Sequence, residues 1–497
     1  MGKPTPPIAI ESDATVTARL AAKTVDLPDS LVTALEATGA EVASDATIRA
    51  QASRDWWPLA MGWALDGQVA NLAAVVVRPS EAGQVAEVLR RCNDARVPVT
   101  AAGGRSGVCG ASVPVFGGVV LDTTGLDGVV SVDTTSGLLD VRAGMFGNEL
   151  EPALRHEHAV TLGHWPQSID LSTVGGWLAC RSAGQYSTRY GKIEDMVVGL
   201  DVALADGTML TTGGSPRAAV GPDLTQLFVG SEGTLGVITG ARLRVRPAPE
   251  HEHRAAFGFT SFADGLEACR RILRAGATPA VLRLYDEAET ARSHGGDGAT
   301  AALLVLDEGD RTIVDATFAV IERHLDGVRR LDDAVVDHWL VHRNDVSALE
   351  ALTRKGYVVD TMEVAASWTA LPAVTTATRD ALLAAGALVA SCHLSHSYSD
   401  GACVYFTFAA TPEAAEREAT YVSLWDAGVS AALGAGANLS HHHGIGLNRA
   451  RYMRSALGER GLAVLAALKQ ALDPNGILNP GKLGLPSPFG DVPWPPA

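Results

Sequence analysis

The stretch from Leu72 to Gly110 restricts the fold of this chain more than any other. Leu72 to Val77 is a continuous apolar run, short enough for a buried strand, and Pro79 closes it. Ser80 can then cap a helix that places Val85, Val88, Leu89 and Cys92 on one face. Val97 to Thr100 reads as the next strand, so the stretch predicts a βαβ unit. This unit runs directly into Ala101-Ala102-Gly103-Gly104-Arg105-Ser106-Gly107, a loop whose backbone N–H groups can face an anion. The loop is not GxGxxG and opens no helix, and GxxxxGK[ST] is absent, which excludes the usual dinucleotide and P-loop fingerprints.

Short strands follow at Val119 to Asp122, Val129 to Asp133 and Leu138 to Arg142. Gly163 to Gly176 then lacks hydrophobic periodicity and is rich in small and hydroxyl residues: Gln167, Ser168, Ile169, Asp170, Leu171, Ser172, Thr173, Gly175 and Gly176. Such a stretch suggests backbone wrapped around a ligand, and it continues through Cys180, Arg181, Ser182 and Ala183 towards Asp195. Asp206-Gly207 between two alternating runs predicts a hairpin. Glu232, Gly233, Thr234, Leu235, Gly236, Val237 and Ile238 lead into a further strand, Ala241 to Val245.

Beyond Pro247-Ala248-Pro249 the pattern changes to strands with long helical runs such as Arg311 to Leu325, as expected of a separate cap domain. Arg283 lies in the strand-like run Val281 to Tyr285, where its neutral reading is a surface salt bridge. In Cys403 to Phe408 the alternation puts Val404, Phe406 and Phe408 on one face and Tyr405 and Thr407 on the other. Ser440-His441-His442-His443-Gly444-Ile445-Gly446 is hard to explain by packing alone, since imidazoles serve as acid/base groups, anion ligands or metal ligands. In an extended segment His441 and His443 would face one way and His442 the other. A helix is expected at about Leu462 to Leu472, and the Pro-rich tail, Pro486 to Ala497, as a loose arm. Near the start, Arg54-Asp55-Trp56-Trp57-Pro58 reads as an aromatic docking patch.

At 497 residues the chain is too long for one core. A formal charge of −16 argues against nucleic acid and anionic membranes as partners. Six scattered cysteines without a CxxC pair suit reduced thiols rather than disulfides or a thiolate metal site. No basic-then-apolar leader and no transmembrane-length apolar run appears, so a cytoplasmic protein is expected.

Taken together, the proline-closed strand ending at Pro79, the GGRSG loop, SIDLSTVGG, YGKIEDMV and SEGTLGVIT resemble the flavin domain of the vanillyl-alcohol-oxidase (PCMH-type) FAD family. The resemblance implies an α+β fold: a PCMH-type two-subdomain FAD-binding domain, an α/β cap (substrate) domain and a C-terminal helical segment. Expected boundaries are 1–68 for a helical preamble, 69–248 for the FAD domain, 249–438 for the cap and 439–497 for a segment returning to the flavin. The cofactor residues it implies are Pro79, Thr100 and Ala101 to Gly107, then Gln167 to Thr173, Gly175, Gly176, Cys180 to Ala183 and Glu232 to Ile238. Relatives that link FAD covalently through the first loop use a histidine there. Arg105-Ser106 in this chain therefore implies non-covalent FAD.

The second half, with Asp360 to Glu363, Asp400 to Tyr405 and the histidine triplet, resembles the alkyldihydroxyacetonephosphate synthase branch. The resemblance implies that Tyr405 is the acid/base, that His441, His442 and His443 are needed for activity, and that Arg283 matters. An arginine that contacts substrate in that branch falls on Leu349 here, with Arg343 and Arg354 nearby. Leucine cannot pair with phosphate or carboxylate, as arginine does. The ending Asn479 to Lys482 is shared with the FAD-linked D-2-hydroxyacid dehydrogenases, some of which hold a divalent metal. Two of their metal positions carry His442 and Val404 here, while His393 and His396 remain; no metal is expected. The expected function is an FAD-dependent oxidoreductase that takes a hydride from a small anionic hydroxy compound. Redox-neutral synthase chemistry is the alternative, and a non-catalytic flavoprotein the third reading. Expected partners are the anionic substrate, an electron acceptor or oxygen, and a second copy of the chain in a homodimer.

Overall fold

A computed structural model describes Ile8, Ile10 and residues 16–495. The βαβ unit forms from strand Val75–Arg78, helix Ala82–Ala95 and strand Val99–Ala102. Both strands run parallel to Val119–Asp122, which lies between them, and Glu41–Ala43 extends the sheet antiparallel beside Val75–Arg78. The helix buries Val85, Val88, Leu89 and Cys92, the face expected from their spacing. Its cap is Glu81 rather than Ser80. Glu81 and Gln84 exchange reciprocal backbone bonds, which satisfies two orphan donors where a lone serine would satisfy one.

A second sheet is antiparallel and has the order Met209–Gly213, Val197–Ala203, Val237–Arg244, Leu138–Arg142, Val129–Asp133. The Asp206-Gly207 hairpin is present: Gly207 has φ +84° and Asp206 Oδ1 accepts from Thr208 N at 2.8 Å. The two sheets make the two-subdomain α+β arrangement.

The cap is one seven-stranded antiparallel sheet, in the order Arg329–Leu331, His251–Phe259, Ala301–Gly309, Val281–Tyr285, Val389–Ser397, Gly401–Ala410, Val358–Ser367. Helices Leu371–Ala384 and Arg417–Gly434 bury Leu382, Leu424 and Trp425 in the same core as Val404, Phe406 and Phe408. The alternation expected for Gly401–Ala410 therefore holds, and Tyr405 and Thr407 emerge on the opposite face, into a cavity. No helix among the described residues is long and apolar enough to cross a membrane.

Near the C-terminus one expectation holds and one is corrected. Gly458, at φ +69° and ψ 170°, divides Met453–Leu472 into two helices, and the second carries the expected stretch Leu462 to Leu472. The tail is not a loose arm over its described part. Trp494 is 6% exposed, with ring centroids 5.2 Å from Trp57 and 5.7 Å from Trp63. Trp57 also donates from Nε1 to the Tyr421 hydroxyl at 2.8 Å, so it docks the N-terminal segment on the cap. Apolar rings outweigh the extended backbone preference of the prolines. Trp494→Ala should cost about 3–5 kcal/mol of stability, read from denaturant midpoints. An unchanged midpoint would restore the loose-arm reading.

Candidate active site

The triplet segment is not extended. The backbone N–H groups of His441, His442 and His443 all donate to the same Glu363 Oε1, at 3.2, 3.1 and 2.9 Å, and the Ser440 hydroxyl donates to it at 2.6 Å. Curling three successive amides around one oxygen removes the alternation of an extended chain. His442 and His443 line the cavity, whereas His441 lies behind them, which corrects the expected pairing of His441 with His443. Arg449 closes the fully buried carboxylate from the far side, donating from Nη1 to Oε1 at 3.1 Å and from Nη2 to Oε2. Burial alone would raise the Glu363 carboxyl; Arg449 and His443 outweigh it and hold it well below the usual carboxylate range.

Beyond the triplet the chain turns sharply. The N–H groups of Ile445 and Gly446 both donate to the Glu232 carboxylate. A Cβ on Gly446, at φ +53°, would lie 2.1 Å from the Cys109 carbonyl oxygen, so only glycine fits. Glu232 thus lines the cavity, but both its oxygens are engaged in holding this segment.

Strand pairing sets His393 opposite Tyr405, and their rings stack with centroids 4.9 Å apart. Tyr405 donates to Thr361 Oγ1 at 3.0 Å, and burial pushes its phenol above the ordinary value. Its ring lies 6.2 Å from that of His442. Arg283 donates from Nε to the Tyr285 hydroxyl at 2.7 Å and from Nη2 to His393 Nε2 at 2.6 Å. Neither partner is a carboxylate, so the surface-salt-bridge reading of Arg283 fails. With its Nε2 accepting, His393 carries its proton on Nδ1, 3.0 Å from Glu289 Oε1. Burial, then His443 and His396, push the His442 pKa well below its usual value, so the ring is neutral.

These groups face a cavity of about 860 Å³ between the cap and the FAD-type domain. Its floor is lined by Ala101 to Gly107, Gln167, Ser168, Leu171, Ser172, Thr173, Gly175, Gly176, Cys180, Ser182, Ala183, Glu232, Gly233, Gly236, Val237 and Ile238. Seven expected cofactor residues do not line it. Thr100, Ile169, Thr234 and Leu235 are buried elsewhere, Asp170 is exposed, and the Pro79 carbonyl packs on Gly125. Arg181 turns to Gln226. The structure adds Trp56, His393, His396 and Arg343, none of which was expected at the cofactor or catalytic positions. Arg343 donates to the Tyr186 hydroxyl at 2.7 Å and stacks on Trp165, Tyr186 and Trp339, whereas Arg354 pairs with Glu350 away from the cavity. Arg343 therefore brings to the cavity the guanidinium that Leu349 lacks. Its signal in the sequence was only proximity.

Comparison with known proteins places this geometry. Residues 73–213 match the profile of an FAD binding domain, and residues 248–483 that of the FAD linked oxidases, C-terminal domain. An uncharacterized FAD-linked oxidoreductase of Escherichia coli, YgcU, is 31% identical over 436 residues, covering 83% of this chain and 89% of that protein. The chain belongs to the FAD-linked oxidases. Among other members, glycolate oxidase subunit GlcD of Bacillus subtilis is 27% identical over 438 residues, with 84% and 90% covered. A solved alkyldihydroxyacetonephosphate synthase superposes with a TM-score of 0.79 at 25% identity, over 93% of this chain and 87% of that one.

The floor fits the FAD that this oxidase family carries. The N–H groups of Gly104, Arg105, Ser106 and Gly107 find no acceptor among the described residues, and neither does Arg105 Nε. An anion such as a pyrophosphate would satisfy them. A Cβ on Gly104 would lie 1.9 Å from the Leu171 carbonyl oxygen, so the two wrapping loops can meet only because this residue is glycine. The loop carries no histidine, so acid precipitation should release all the flavin into the supernatant. Yellow colour retained by the washed precipitate would contradict non-covalent binding.

Proposed function

We propose that this FAD-linked oxidase is an oxidoreductase that removes a hydride from the carbinol carbon of a small anionic hydroxy compound. The observation that supports this reading best is the meeting, in one cavity, of a neutral imidazole, His442, with a guanidinium, Arg283, that has no carboxylate partner among the described residues. Bound FAD supplies the two-electron acceptor. Arg283 binds and orients the substrate anion by charge-assisted hydrogen bonds. His442 accepts the hydroxyl proton, being desolvated and neutral. Tyr405 keeps its proton, because burial raises its pKa, and steers the substrate hydroxyl by turning its one hydrogen bond from Thr361 Oγ1 to it. The cap sheet covers the reacting groups.

A second reading has one observation in its favour. The far end of the cavity is apolar, lined by Val346, Leu349, Leu352, Val359, Val389 and Ala409. That end, with Arg343, suits the redox-neutral exchange of a long-chain group on a phosphate-bearing substrate. The two readings part on one experiment, anaerobic mixing of the FAD-loaded protein with 2-hydroxy acids or with acyl-dihydroxyacetone phosphate. Hydride removal bleaches the flavin stoichiometrically with a hydroxy acid. Bleaching by none of them, with exchange of the acyl group, would replace the first reading by the second. Arg283→Met should lower kcat/KM for the active hydroxy acid by about two orders of magnitude, mainly through KM.

A further inference from the structure

Behind the cavity wall, three side chains link two imidazoles that both line the cavity in an unbroken hydrogen-bonded chain. His442 Nδ1 lies 3.0 Å from His441 Nδ1, and His441 Nε2 lies 3.0 Å from the Tyr398 hydroxyl. The Tyr398 hydroxyl is 3.4 Å from Ser187 Oγ, which is 2.7 Å from His396 Nδ1. His442 and His396 are at the cavity; His441, Tyr398 and Ser187 are not. Tyr398 and Ser187 come from opposite sides of the domain boundary, the first following cap strand Val389–Ser397 and the second starting helix Ser187–Tyr190.

Each member has one site to give a proton and one to take it, so the direction of a single link orients all of them. The link between the two hydroxyls sets the direction, because the Tyr398 hydroxyl donates to Ser187 Oγ. Tyr398 must then accept from His441 Nε2–H, which leaves His441 Nδ1 bare to accept from His442 Nδ1–H. At the other end Ser187 donates to His396 Nδ1, so His396 carries its proton on Nε2.

We infer that this chain is a proton relay that leaves His442 Nε2 bare as the acceptor and passes the substrate's proton on to His396. The inference rests on the reading of His442 as the base. When the hydroxyl proton binds His442 Nε2, the Nδ1 proton moves to His441 Nδ1 and the His441 Nε2 proton to Tyr398. The Tyr398 proton moves to Ser187, the Ser187 proton to His396 Nδ1, and the His396 Nε2 proton leaves to solvent. One proton enters and one departs, and no net charge stays in the wall. Tyr398 and Ser187 are positioning and conducting residues without contact to substrate.

Two measurements test the relay. The first needs no substrate, so failure to oxidise any hydroxy acid would count against the proposed function alone. Long-range 1H–15N spectra of histidine-labelled, FAD-loaded protein, assigned with His396→Gln and Tyr398→Phe, should show His442 protonated on Nδ1 and both His441 and His396 on Nε2. His441 protonated on Nδ1 would overturn the direction. So would a stoichiometric divalent metal surviving dialysis, since the ring nitrogens of His396, His441 and His442 lie within 4.8 Å of one another. The second measurement is anaerobic flavin reduction by Tyr398→Phe, with FAD content and melting temperature as controls. The relay requires about a 10²-fold slower reduction and a proton inventory that changes from curved to linear. Wild-type rate and curvature, or slowing explained entirely by lost FAD or lost stability, would overturn it.

Discussion

One buried carboxylate organises the catalytic end of this molecule. Glu363 accepts from three consecutive amides, a serine hydroxyl and the Arg449 guanidinium, and it is fully buried. An ion withdrawn from water in this way is tolerated only when its lone pairs are filled and its charge is paired. Here both conditions hold, and the result is geometric. The amides must converge, so the three histidine rings splay: His442 and His443 to the cavity, His441 to the relay.

A second carboxylate completes the arrangement. Glu363 stands on cap strand Val358–Ser367, while Glu232 belongs to the FAD-domain loop before strand Val237–Arg244. Each holds one half of Ser440 to Gly446. The histidine segment is thereby fixed to both domains, with His442 at the cavity that the glycine loops also line. Burial pushes the Glu232 carboxyl up, opposed first by the Ile445 amide and then by that of Gly446. Those bonds therefore favour its charged form.

Periodic features were legible in the sequence because burial of one face imposes them. The helix face Val85, Val88, Leu89 and Cys92, and the alternation around Tyr405, read directly as core and cavity sides. The glycine loops were legible because close backbone contact excludes a Cβ, as at Gly104 against Leu171. What long-range contacts decide was not legible. The direction of each histidine depends on Glu363, 77 residues from Ser440. Trp56, from the N-terminal segment, lines the cavity while its neighbour Trp57 docks on Tyr421, and no local pattern separates the two. The tail looked loose because its prolines are visible locally, whereas the pocket for Trp494 is built by Trp57 and Trp63.

The central claim is that the Glu363 charge, rather than the mere presence of three histidines, sets up the site. Glu363→Gln keeps size and one acceptor oxygen but strips Arg449 of its counter-ion and turns an amide NH2 into its fork. The direct measurement is the single-turnover rate of anaerobic flavin reduction in this variant, with melting temperature and FAD content recorded on the same sample. The structure predicts a stability loss of about 3–5 kcal/mol for the broken buried pair. In the folded, FAD-loaded fraction it also predicts reduction slowed by about 10²-fold, as His442 shifts from its place. A folded variant that reduces its flavin at the wild-type rate would contradict the account.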